Sequence, residues 1–100
     1  MTYVRVGVYE LVGEYTVDEN LVERTKAAVE TIAKEATPGF LSYDSGFDEE
    51  GNILVVTRWK TAEHAAAPIV KMRAWLAENA GEGIRLIRTY AFESQVDVVA

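Results

Sequence analysis

From Tyr3 to Leu11 the chain alternates. Val4, Val6 and Val8 fall on one face, and Tyr3, Arg5, Gly7 and Tyr9 on the other. This period of two predicts a strand, which Gly13 ends. The period then lengthens: Leu21, Val22, Ala28, Val29, Ile32, Ala33 and Ala36 recur at helical spacing, with Glu23, Arg24, Lys26, Glu30 and Lys34 largely opposite. Thr16-Val17-Asp18-Glu19 ahead of them reads as a capping box, in which Thr16 accepts from the amide of Glu19 and the Glu19 carboxylate reaches back. Pro38 disfavours helical geometry at Thr37, so the helix stops before Thr37-Pro38-Gly39.

A hairpin follows from Pro38 to Lys60, with Asp48 to Asn52 as its turn and Gly51 as the left-handed position. Its second strand, Ile53-Leu54-Val55-Val56, is apolar on both faces. Thr61 suits a helix N-cap, with Glu63 in the first turn. Pro68 breaks the pattern behind it. A short helical segment is therefore expected near 62–67, and a longer helix from Pro68 on, since proline is tolerated in a first turn. Ile69, Met72, Leu76 and Ala80 form its buried stripe, and Gly81-Glu82-Gly83 ends it before a final strand over Ile84 to Glu93.

The order β-α-β-β-α-β is the split βαβ pattern of a ferredoxin-like α+β sandwich. Strand order 4-1-3-2 is expected, with both helices on one face of a four-stranded antiparallel sheet. Two helices cover only one face, yet Leu54 and Val56 make the other face apolar as well. An exposed apolar sheet face normally marks an interface, and a two-fold homodimer with the bare faces together is the simplest solution. The tail Gln95-Val96-Asp97-Val98-Val99 is β-prone and could extend that contact.

Composition narrows the function classes. One hundred residues read as one domain over 1–100, and an apolar share of 49% is hard to hide in so small a monomer. The net charge of −6 argues against nucleic acid and anionic lipid surfaces as partners. With no cysteine there is no disulfide scaffold, thiolate catalysis or cysteine-ligated metal. One histidine and no spaced carboxylate cluster do not make a usual transition-metal site, so neither a metal nor a cofactor is expected. Without a signal-like start or a membrane-length apolar run, a cytoplasmic location is the expectation.

The run PGFLSYDSGFDEEGNILVVTRWKTAEHAAA, behind a capped helix and a VRVGVYEL strand, resembles the antibiotic biosynthesis monooxygenase-like family of dimeric α+β barrels. The shared elements are Pro38-Gly39-Phe40 before a strand, an acidic turn, a hydrophobic strand ending at Arg58-Trp59, and the helix start Thr61-Ala62-Glu63-His64. The resemblance implies a dimeric barrel with a pocket between sheet and helices in each protomer. It also implies a choice among cofactor-free oxygenases of aromatic polyketides, haem-degrading enzymes, isomerases and proteins without known activity. Fold does not choose among them. The haem-degrading pattern, with asparagine on the first strand and tryptophan shortly before the histidine, is not met: the first strand has no asparagine, and Trp75 follows His64.

Trp59 and Trp75 are large enough to wall a pocket for a flat aromatic ligand, core packing being the plainer reading. Arg5 on a central strand is expensive unless paired or wet, so it either holds an anionic substrate or pairs with Glu10, Asp44 or Glu93. Arg58 and Arg88 pose the same question. Tyr9 and His64 are the candidate proton-handling groups, although a helix-start histidine is more simply a partly exposed one, its protonation disfavoured by the helix dipole. The leading expectation is a cofactor-independent monooxygenase of a phenol or quinol; the alternative is a non-catalytic ligand-binding or dimer module.

Overall fold

The computed structural model describes residues 2–100. Its elements are β1 (Tyr3–Leu11), α1 (Glu19–Ala36), β2 (Phe40–Phe47), β3 (Ile53–Trp59), α2 (Ala62–Ala80), a single 3₁₀ turn at Gly81–Gly83 and β4 (Ile84–Glu93). The four strands lie in the order β2-β3-β1-β4, all neighbours antiparallel. This is the expected 4-1-3-2 order and the ferredoxin-like fold.

Pairing of Arg5 with Thr57, Gly7 with Val55 and Tyr9 with Ile53 puts those six residues on one face, toward the helices. Val4, Val6 and Val8 share the opposite face with Leu54, Val56 and Arg58. Val4 and Val8 are buried there nonetheless, Val4 between Arg58 and Phe92 and Val8 between Leu54 and Arg88 on the neighbouring strands. On the same face Tyr90 and Phe92, opposite Val6 and Val4, keep 53% and 52% of their surface exposed.

Two local expectations need correction. Thr16 does not cap α1. The helix starts later, and Asp18, in extended geometry, accepts from the amide of Leu21 at 2.7 Å. A short carboxylate does the same work as a hydroxyl at this position and adds a negative charge at the positive end of the helix. Nor is there a break at Pro68: α2 runs unbroken through it. Proline removes the one amide that would reach back to the carbonyl of His64, and packing of the helix along its length overrides that loss.

The other local signals hold. Thr37 is extended (φ −66°, ψ 135°), closing α1 ahead of Pro38. In the hairpin turn, Asp48 Oδ1 accepts from the amides of Glu50 and Asn52 at 2.8 and 2.9 Å, and Gly51 takes φ 83°. The side chain of Thr61 caps α2 by accepting from the amide of His64.

Candidate functional site

The stripe that makes α1 amphipathic does not meet a filled core. Of the eighteen residues of α1, Leu21 alone is buried. Beneath the others lies a cavity of about 570 Å³ between α1 and the sheet. Leu21, Thr25, Val29 and Ala33 line it from α1, Tyr9, Tyr43, Ile53 and Val55 from the strands, and Leu76 from α2. Lys26 and Glu30, both exposed, stand at its edge. The volume is in the range of small-molecule pockets, which are mostly apolar with a few placed polar groups.

Tyr9 and Tyr43 supply the phenols of that wall. Burial pushes the Tyr43 phenol above its ordinary value, a hydrogen bond with Ser45 pulls it partly back, and the neighbouring Tyr9 raises it further. Tyr43 is therefore a neutral phenol at neutral pH, able to donate a hydrogen bond to a bound anion. Tyr9 owes its place to Gly7: a Cβ at Gly7 would sit 3.1 Å from Cε1 of the Tyr9 ring. Glycine within a strand commonly marks such a close approach. Here the ring leans over the strand.

The residues singled out in the sequence fall in different places. Tyr9 lines the large cavity. Trp75 lines a side recess of about 50 Å³ that shares Tyr9, Thr25, Val29, Tyr43, Val55 and Leu76 with it. Arg5 lines a second recess, of about 40 Å³, beyond Tyr9. It pairs with none of Glu10, Asp44 or Glu93; Glu10 is bonded to Arg85 instead. Arg58 and Arg88 are exposed.

Trp59 lies in the packed core with none of its surface exposed and lines none of these spaces. Its Nε1 donates to Thr57 Oγ1 at 2.8 Å, and its ring meets Phe40 edge-on at 5.3 Å. His64 is exposed, with Nδ1 2.8 Å from Thr61 Oγ1. Its ring packs over Gly39, where a Cβ would come within 2.4 Å of it. The five candidates thus divide: Tyr9, Trp75 and Arg5 line adjoining spaces, and Trp59 and His64 do not.

Tyr43, Phe40 and Leu76 were not singled out as site residues. For Tyr43 a signal existed, since it lies opposite Thr57 and so shares the helix-facing side of the sheet. Among the described residues no group of His, Asp or Glu side chains is placed to hold a metal ion.

This arrangement defines the chain as a ferredoxin-like α+β protein with an apolar cavity between sheet and first helix, the fold of antibiotic biosynthesis monooxygenase-like proteins. The monooxygenase from the gene ActVA-Orf6 of Streptomyces coelicolor, in complex with nanaomycin D, matches with a TM-score of 0.68 at 19% identity, over 98% of this chain and 91% of its own. A variant of SnoaB, a cofactor-independent oxygenase from Streptomyces nogalater, matches with a TM-score of 0.64 at 11% identity, over 97% and 96%. The de novo designed protein Foldit4 matches too, with a TM-score of 0.60 at 9% identity over 94% and 98%. A fold reached by design as well as by oxygenases carries no activity of its own. No family model and no curated protein sequence matches the chain.

Proposed function

We propose that the cavity under α1 binds a flat, mostly apolar phenol or quinol, and that the protein acts on it as a cofactor-independent monooxygenase. The observation that carries this reading is the cavity itself: about 570 Å³ behind mostly apolar walls, with Tyr9 and Tyr43 together on its sheet side. The fold shared with two oxygenases, one of them cofactor-independent, supports it.

In such a reaction the substrate supplies the electrons. Its hydroxyl gives a proton to Glu30, the carboxylate that α1 holds at the cavity's edge. The electron-rich ring then reduces dioxygen and bonds to it at an unsubstituted carbon. Loss of that carbon's hydrogen and cleavage of the O–O bond leave one oxygen atom on the ring as a quinone carbonyl and release the other as water. The protein holds the ring, excludes bulk water and stabilises the phenolate by donation from Tyr43 and Tyr9.

Oxygen uptake with 1-naphthol tests the reading, with one dioxygen expected per 1,4-naphthoquinone and per water formed. Binding of 1-naphthol without uptake would leave the second reading, a non-catalytic ligand-binding module, which the exposed position of His64, outside the cavity, favours. Absence of binding would remove both.

The functional unit under this proposal is a homodimer joined through the sheet face away from the helices. Tyr90 and Phe92 are half exposed there, beside half-buried Val6, Leu54 and Val56. Light scattering at micromolar concentration should give twice the 11.1 kDa chain mass. A monomer would refute the pairing.

A further inference from the structure

Behind Tyr9 lies a space with a different chemistry. The recess of about 40 Å³ is lined by Arg5, Gly7, Tyr9 and Thr57 from the sheet and by Met72 and Arg73 from α2. Two arginines thus line one small space. Among the described residues neither is ion-paired. The Nε of Arg5 is buried without any hydrogen-bond partner, and among the described residues the side chain's one hydrogen bond is a long one, 3.5 Å from Nη1 to the Tyr3 hydroxyl. A buried guanidinium nitrogen with no acceptor is costly, and two like charges bordering one recess raise the cost. Both costs fall if an anion occupies the space.

The recess also adjoins the large cavity. Tyr9 and Val55 line both, and the side recess at Trp75 shares Tyr9, Val55 and Met72 with it. The wall between them includes the Tyr9 ring, which leans over Gly7 because no Cβ stands there. A water needs roughly 10–15 Å³ of such space, so a recess of about 40 Å³ admits a carboxylate but not a ring.

Resting on the reading of the large cavity as the ligand site, we propose that the Arg5–Arg73 recess is an anion subsite of the same site. It takes the carboxylate of an aromatic hydroxy acid whose rings lie under α1, with Tyr9 as the side chain the ligand passes. The preferred substrate class is then a hydroxylated polycyclic carboxylate, and a neutral phenol is the weaker ligand. Planar guanidinium groups pair with carboxylates through two parallel hydrogen bonds, which the buried Arg5 nitrogen is free to join.

Calorimetric titration with 1-hydroxy-2-naphthoate and with 1-naphthol, at one pH and ionic strength, tests this. The rings are the same and the carboxylate is the difference. The acid should bind about tenfold tighter or more, the scale of one charge-assisted hydrogen bond. Arg5→Met and Arg73→Gln should each remove most of that preference while leaving 1-naphthol affinity within about threefold, well under the tenfold step of one such bond. Equal affinity of the wild-type protein for the two compounds would overturn the anion subsite alone. Failure of both to bind would overturn it together with the reading of the large cavity. Because the wild-type preference decides the matter, a variant that does not fold leaves the test intact.

Discussion

The sheet has two differently finished ends beneath its helices. Around Trp59, the indole, Thr57 and Ala65 are buried, the indole N–H is satisfied, and Phe40 closes on the ring edge-on. Under α1, a helix of equal regularity buries only Leu21 and leaves about 570 Å³ beneath its stripe. Both regions are apolar and both are built on β3. The difference lies in what fills the gap: a tryptophan in one, and nothing from this chain in the other. Apolar side chains facing a space they do not fill forfeit contacts, so such a space persists where a ligand restores them.

Substitutions at the two ends should therefore behave in opposite ways. Trp59→Ala empties a packed site and should cost about 3–5 kcal/mol, read by urea unfolding. Val29→Phe, which adds a ring over the cavity, should change stability by less than about 1.5 kcal/mol, below the usual cost of overpacking a filled core, and should abolish ligand binding. A loss at Val29→Phe as large as that at Trp59→Ala would mean that the space under α1 is closed in solution.

Smaller effects sharpen the local account. Asp18→Ala should cost about 1 kcal/mol as the loss of a cap, whereas Thr16→Ala should lie within about 0.5 kcal/mol of the parent. The reverse order would restore the capping box expected from the sequence. The smallest effect concerns Tyr43. Its folded pKa is raised by burial, so the folded chain holds this proton more tightly than the unfolded chain. Its contribution to stability is full below the ordinary phenol value of 10.0 and is lost as pH rises through the raised one. Tyr43→Phe should be destabilised less than the parent on passing from pH 9 to pH 11 in thermal melts. An identical decline in both would place the Tyr43 hydroxyl in water.

The two ends were not equally legible in the sequence. Strand alternation, the hairpin turn and the helix stop at Pro38 are local signals with local causes, and they specified element order and sheet order. Pro68 misled because a single missing hydrogen bond is a weak force beside the packing of a long helix. Trp59 stood out as a pocket wall by size, but size alone does not tell a filled space from a wall. Ile53, Val55 and Val29 read the same whether they meet side chains or a void, so the cavity had no sequence signature. Arg5 was conspicuous because charge on a central strand is rare. Its companion Arg73 lies on a helix, where arginine is ordinary, and only the packing of α2 over β1 brings the two together.

The central claim is that the space under α1 is a binding site for an aromatic ligand. Calorimetric titration of 1-naphthol into the wild-type protein and into Val29→Phe addresses it directly. Saturable binding near one ligand per chain, absent in Val29→Phe while its unfolding transition stays in place, is the expected result. No heat of binding in the wild type, or equal binding in the two, would contradict it.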